Sequence, residues 1–343
     1  MELHPVTFIS KSANLFRNLL QIRHLFISPV VKCQYRLPPP LFNARCPAMP
    51  QTHYTVRSYR IAILALLLPL LTLPAQAEEK FHIIPDLVFA PHDPQLQLAL
   101  YLPQSKGPLP CVLALQGGGF LPQTGKGYRG MAEFLASHGF AAALVAYRGR
   151  PNHQFPDTLA DVRAAATFLR KNANQWQLDP GKFAAVGGSA GGTLAALLAT
   201  TGDETDADCR IQAAVCYAGV FDFVSRFQDP QQLALQPAHA EKLKTNQAWI
   251  GAPFAPDAPA WRQASPASHL NAGDAPILFL HSRNDATVPW LQSQLCHHQM
   301  QQLKLTSELI VYEDGGHGVA PANGKPREEM LMFLRKHLQV SQH

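Results

Sequence analysis

The chain has 343 residues, 47% of them apolar and 15% charged, which is enough apolar material for a sizeable core and excludes wholesale disorder and low-complexity structure. Its formal charge of +5 is unevenly spread, because residues 1–77 hold eight of the 29 Lys and Arg and one of the 24 acids. The rest carries 21 basic and 23 acidic residues, a net −2, so composition gives no support to a nucleic-acid-binding surface.

In chain order, residues 61–73 (IAILALLLPLLTL) form an apolar run preceded by Arg57 and Arg60 and followed by Ala75-Gln76-Ala77. A basic flank, a short apolar stretch and an A-x-A site predict a secretory signal peptide over 49–77, read from Met49 and cleaved near Ala77-Glu78. The run falls short of the ~20 residues of a comfortable membrane span, and Pro69 interrupts it. An uncleaved N-terminal anchor is the alternative. Residues 1–48 show no helical or strand period. They read as a disordered extension upstream of the true start, with a basic, acid-poor transit segment as the rival. The expected location is secreted or periplasmic, without stable membrane insertion after cleavage. The expected body, 78–343, suits one α/β domain.

Within that body, 82–89 and 97–102 read as two opening strands, with Pro91-His92-Asp93-Pro94 as their turn. Further strands are predicted over 110–115, 140–147, 183–187, 212–218, 276–281 and 307–312. Helices are predicted over 128–137, 161–171, 191–200, 290–303 and 326–338. This alternation, with continuously apolar strands, predicts a mainly parallel sheet covered on both faces. Residues 221–270 break the rhythm: they are long, weakly periodic and rich in Gln, Ala and Pro, and they read as an insertion over a sheet edge.

Four cysteines lie in the body, Cys111, Cys209, Cys216 and Cys296, and none forms a C-x-x-C pair, so neither a zinc nor a redox site is expected. Cys111 and Cys216 fall in apolar strands. Cys209 and Cys296 have polar neighbours, and sequence leaves open whether they pair.

Gly187-Gly188-Ser189-Ala190-Gly191 fits G-x-S-x-G between a predicted strand and a predicted helix. A sharp turn there lifts the Ser189 hydroxyl above the sheet, at the positive end of the following helix. The N–H of Ala190 then faces a developing oxyanion. Serine needs a base oriented by an acid. His317 follows the last strand and Asp285 follows the strand before it, both at strand C-termini, where open α/β sheets place ligands. The order Ser, Asp, His is that of the hydrolase sheet. Asp314, on the same loop as His317, is the rival acid. His281 is expected to end a buried strand as a structural residue, and His297 and His298 to lie on a helix surface. Gln116-Gly117-Gly118-Gly119 follows a buried strand, and two of its glycine N–H groups, with that of Ala190, could donate to an oxyanion. One such donor is worth ~3 kcal/mol.

Together these residues resemble the α/β-hydrolase superfamily, specifically its esterase/lipase group with an HGGG-type oxyanion loop. Tyr147-Arg148, Phe155-Pro156 with Asp161, Asp179-Pro180 and Ser265-Pro266 extend the resemblance over nearly all of 82–340. It implies an eight-stranded, mainly parallel sheet with helices on both faces and a small insertion, 221–270, over the active site. It also implies a triad of Ser189, Asp285 and His317, and an oxyanion hole of Gly118, Gly119 and Ala190. Two departures stand out. Gln116 replaces the family's usual His, and Ser282 follows His281 where similar enzymes often have Gly. The absence of an N-terminal helical cap resembles the smaller acetyl-esterase and acetylxylan- or feruloyl-esterase-like members.

The expected function is a serine carboxylic-ester hydrolase acting through an acyl-enzyme. Its expected substrates are short-acyl, acetyl-type esters of small molecules or carbohydrates, and it needs neither metal nor organic cofactor. The alternatives are a prolyl-oligopeptidase-like peptidase, an arylformamidase-type amide hydrolase and a non-catalytic binding module on the same scaffold.

Overall fold

A computed structural model describes residues 80–105, 107–205, 207–320 and 325–340. The chain divides into two units, Met1–Ala75 and Gln76–His343, and every described residue belongs to the second. The leader expectations for 1–48 and 49–77 lie outside the described residues.

Eight strands form one sheet: β1 (Phe81–Val88), β2 (Gln97–Pro103), β3 (Leu109–Leu115), β4 (Ala141–Val145), β5 (Leu178–Gly188), β6 (Ala213–Tyr217), β7 (Ile277–Ser282) and β8 (Ser307–Tyr312). Their spatial order is β1-β2-β4-β3-β5-β6-β7-β8. β1–β2 and β2–β4 pair antiparallel, and all other pairs are parallel. The inner strands are apolar without alternation because helices cover both faces; β3, β4, β6 and β7 are buried at every position. β8 closes one edge and is half-buried throughout.

The main helices are α1 (Arg129–Ala136), α2 (Asp157–Lys171), α3 (Ala190–Thr205), α4 (Phe223–Gln228), α5 (Pro230–Ala234), α6 (His239–Ile250), α7 (Pro259–Gln263), α8 (Leu291–Gln302) and α9 (Pro326–His337). One face of the sheet packs Val112, Ala114, Val186 and Val215 against Leu135 of α1 and Met330 and Phe333 of α9. The other packs Leu113, Leu115, Ala185 and Phe279 against Val162 and Leu169 of α2, Leu194 of α3 and Met300 of α8.

The expected strands and helices are present, with shifted bounds. α2 begins at Asp157, four residues before the periodic pattern starts, because Pro156 and Asp157 open its first turn. β5 starts at Leu178 rather than 183, since Leu109 pairs with Leu178 ahead of a register shift. Cys209 and Cys296 are buried in the core with Cys111 and Cys216, and no disulfide joins any of the four. Their polar neighbours in sequence face elsewhere. Among the described residues no helix is long and apolar enough to cross a membrane.

The 221–270 stretch is helical, from α4 to α7. Its order comes from caps rather than from a long apolar stripe. Asp222 accepts from the Val224 and Ser225 amides at 2.9 and 3.1 Å, and Asp229 accepts from Gln231 N at 2.9 Å with Pro230 at the first helical position. Gln292 of α8 anchors the stretch: its Oε1 accepts from Phe221 N and Asp222 N, both at 2.8 Å, and its Nε2 donates to Asp222 O and Gln232 Oε1.

Trp249 ties this roof to the body. It is fully buried, stacks on Phe120 with centroids 3.6 Å apart, and donates Nε1–H to Thr158 Oγ1. Its carbonyl accepts from Phe155 N at 2.7 Å. Trp249→Ala is expected to cost about 3–5 kcal/mol, the usual loss for a buried tryptophan. Urea unfolding measures it, and a loss under 1 kcal/mol would show that the roof is not anchored there.

Candidate active site

β5 ends at Gly188, and α3 starts at Ala190. Ser189, between them, holds φ at +53°, the strained left-handed corner of a strand-to-helix turn. Its N–H donates to Tyr217 O at 2.7 Å, and its carbonyl accepts from Thr193 N at 3.0 Å. The turn presses α3 onto the end of β3 so closely that a Cβ at Gly191 would overlap the Leu115 carbonyl oxygen. A Cβ at Gly117 would likewise overlap the carbonyl of Gly188. The glycine loop after β3 and the serine turn after β5 are therefore in backbone contact.

The structure brings Ser189, His317 and Asp285 together. His317 Nε2 lies 2.9 Å from Ser189 Oγ, and Nδ1 lies 2.8 Å from Asp285 Oδ2. A carboxylate can only accept, so Nδ1 carries the ring proton and Nε2 is free to take the serine proton. Asp285 is buried and all its acceptor capacity is engaged: Oδ1 receives the Thr287 and Val288 amides at 2.8 and 3.0 Å, and Oδ2 receives both His317 and His281. Burial alone would raise the Asp285 carboxyl. Hydrogen bonds from His281 and His317, the charge of His317 and the Val288 amide outweigh it and hold the group well below the usual carboxylate range. Asp314 is exposed and makes no hydrogen bond or ion pair with His317 among the described residues; Asp285 is the carboxylate that bonds the ring.

His281 has a role that sequence did not reveal. It is completely buried at the end of β7. Its Nε2 faces Val288 O at 3.0 Å and Asp285 Oδ2 at 3.2 Å, and its Nδ1 faces Ser293 Oγ at 2.7 Å. Because Val288 O only accepts, Nε2 carries the proton and Ser293 donates to Nδ1. The carboxylate thus sits between two imidazole N–H groups. The loops bearing Asp285 and His317 are also tied to each other, through Asn284 Oδ1 accepting from Gly316 N at 2.9 Å and Arg283 donating to Glu313. His297 is half-buried and bonded to Ser307 Oγ, and His298 is exposed, both away from the site.

The glycine loop is braced at several points. Gln116 Oε1 accepts from Gly127 N at 2.7 Å, so the glutamine amide holds the turn before α1. Tyr147 Oη donates to Gln116 O. Arg150 Nε donates to Gly119 O at 2.8 Å, and Leu121 N donates to Gly118 O. The carbonyls of Gln116, Gly118 and Gly119 are thereby occupied, whereas the N–H groups of Gly118, Gly119 and Ala190 have no protein acceptor among the described residues. All three residues line one cavity with Ser189 and His317.

Other motif residues are structural. Asp161, buried in α2, receives Arg148 through its backbone N–H at 2.8 Å and its Nη2 at 2.7 Å. Ser265 Oγ accepts from Phe223 N and donates to Trp261 O.

Comparison with known proteins places this geometry. The family model BD-FAE matches residues 98–300, more than half of the chain. The chain belongs to the BD-FAE family. This is a family of α/β-hydrolase esterases, and the eight-stranded sheet and serine turn are its fold. Among curated proteins, the BD-FAE chain is 32% identical over 219 residues to the "Probable carboxylic ester hydrolase LipM" of Mycobacterium tuberculosis, covering 61% of this chain and 48% of LipM. It is 27% identical over 143 residues to an acetylxylan esterase of Xylanibacter ruminicola, covering 41% of this chain and 28% of that protein. The chain therefore spans about half the length of LipM and less of the acetylxylan esterase. Among solved structures, a truncated carbohydrate esterase from gut microbiota shares the fold, with a TM-score of 0.66 and 21% identity over 77% of this chain and 99% of that one.

Proposed function

We propose that this BD-FAE protein is a serine carboxylic-ester hydrolase that works through an acyl-enzyme. The observation that carries the reading is the Ser189–His317–Asp285 relay beside three unpaired backbone N–H groups in one cavity. His317 Nε2 takes the Ser189 proton as Oγ attacks the ester carbonyl carbon. The carbonyl electrons move to oxygen, where Gly118, Gly119 and Ala190 donate hydrogen bonds. The imidazolium, its charge stabilised by Asp285, returns the proton to the leaving alkoxide as the C–O bond breaks. Water, deprotonated by His317, then attacks the acyl-enzyme and releases acid and Ser189.

Short acyl groups, acetyl above all, and carbohydrate alcohols are the proposed substrates. Likeness to an acetylxylan esterase supports this. The basic flank, apolar run and A-x-A site at 57–77 support export across a membrane with cleavage near Ala77.

Hydrolysis rates across 4-nitrophenyl acetate, butyrate, octanoate and palmitate test the acyl preference. The expected maximum is acetate or butyrate. A rate rising toward octanoate would overturn the short-acyl reading and leave the esterase reading standing, whereas no hydrolysis of any member would overturn both.

A further inference from the structure

Ser189 lies where two cavities meet. The larger, about 820 Å³, is flanked by Tyr128, Met131 and Phe134. The smaller, about 450 Å³, runs from the glycine loop under the roof and is bounded by Arg226, Lys242, Asn246 and Thr287. An ester extends two arms from its carbonyl carbon, and two cavities flank the serine.

The smaller cavity is cationic, and no acidic side chain lines it. Arg226 is 3% exposed. Its Nε donates to Gln236 Oε1 at 3.1 Å, Nη1 to Asn246 Oδ1 at 3.2 Å and Nη2 to Thr287 O at 2.7 Å, all neutral acceptors. A guanidinium has five N–H donors, so these three contacts leave two without a protein acceptor. No carboxylate lies within 4.0 Å of it among the described residues. Burial lowers the group to about 10, with Asp285 opposing the shift, so it stays protonated at neutral pH. Asp285 cannot serve as its hydrogen-bonded partner, because both carboxylate oxygens are taken by His281, His317 and two amides. Lys242 is half-buried and makes no ion pair among the described residues. Arg150 does not line the cavity but donates to the carbonyl of Gly119, which does.

A buried cation whose hydrogen bonds all go to neutral acceptors is costly, and the nearby charge of Asp285 offsets only part of that cost. Clamping α4 and α6 onto Thr287 explains the three contacts of Arg226. It does not explain a second cation beside it, nor a wall without acids.

We propose that the cavity of Arg226 and Lys242 is an anion subsite that receives a carboxylate carried on one arm of the ester. The preferred substrates are then short-acyl esters of acidic alcohols such as uronate-bearing carbohydrates, with half-esters of dicarboxylic acids, the same recognition on the acyl arm, as the other outcome of the test. This rests on the esterase reading above.

Two matched pairs test it on the purified protein. Mono-4-nitrophenyl adipate against 4-nitrophenyl hexanoate probes the acyl arm. 4-Acetoxybenzoate against 4-acetoxybenzamide probes the alcohol arm. In one pair kcat/KM is expected to favour the carboxylate by about tenfold, the scale of a charge-assisted hydrogen bond. Lys242→Glu is expected to bring that ratio to one or below, and Arg226→Gln to lower it as well. Each ratio is taken within one variant, so a general loss of activity cancels. Lys242 is half-exposed, which keeps the test open if Arg226→Gln does not fold. Ratios at or below one in both pairs, or a preference unchanged by Lys242→Glu, overturn the subsite while leaving the esterase reading intact. Failure to hydrolyse any of the four esters sinks the esterase reading instead. Calorimetric titration with adipate then decides the subsite separately: binding that Lys242→Glu abolishes supports it, and no binding overturns it.

Discussion

Ser189→Ala is expected to lower kcat/KM on 4-nitrophenyl acetate by about 10⁵–10⁶-fold, the scale seen when a nucleophile of this kind is deleted. Among the described residues the Ser189 hydroxyl has one hydrogen-bond partner, His317 Nε2, so removing it takes away the proposed attacking atom and little else. The turn itself is held by backbone bonds, Ser189 N to Tyr217 O and Thr193 N to Ser189 O. Alanine at φ +53° bears about the same strain as serine. Stability in urea is therefore expected to change by less than about 1 kcal/mol. Labelling by a fluorophosphonate probe should vanish in the same variant. Retained hydrolysis or labelling in a folded Ser189→Ala protein would mean that another side chain is the nucleophile.

Asp285→Asn is expected to lower kcat by about 10⁴-fold, because the amide supplies a donor where only acceptors fit. Oδ1 meets two backbone N–H groups and Oδ2 meets two imidazole N–H groups. Whichever way the amide turns, its NH₂ faces donors. Val288 O and Ser293 Oγ hold His281 in its tautomer, so His317 is the ring that must flip. It then presents Nε2–H to Ser189 and can no longer take the serine proton. The same residue sets a pH dependence. A carboxyl held below its unfolded value of about 3.9 contributes stability in full above that pH. It loses that contribution as pH falls toward the depressed folded value. Wild type is therefore expected to exceed Asp285→Asn in Tm at pH 7, and the gap is expected to narrow below about pH 4. A gap that is constant or widens on acidification would contradict the network assigned to this carboxylate.

Local patterns were the readable part of this chain. The 307–312 strand has the predicted bounds, and the G-x-S-x-G turn sits between strand and helix as its spacing implied. The roof was harder to read because its helices are five to twelve residues long. Segments so short show little 3.6-residue periodicity. Their start signals were nevertheless present, in Asp222 and in Asp229-Pro230. The first residues of β5, Leu178-Asp179-Pro180-Gly181-Lys182, carry turn chemistry, and only their pairing with β3 makes them a strand.

Burial of charge had no local signature at all. Arg226 stands in a polar stretch, and Cys209 and Cys296 have polar neighbours. Each is buried because elements distant in sequence close over it. Likewise, nothing near His281 announces that its ring shares a carboxylate with His317.

The sequence alone determined the strand–helix alternation, the serine turn, and the loop positions of Asp285 and His317, because each depends on neighbouring residues and backbone sterics. Only the tertiary structure showed that His317, 128 residues from Ser189, meets its hydroxyl, that Asp285 rather than Asp314 bonds the same ring, and that Arg226 lines the cavity beside the glycine loop. The physical reason is that sheet order and register, set by burying both faces at once, bring the strand ends to one edge. A one-dimensional pattern records which residues prefer burial, and not which distant partners they meet there.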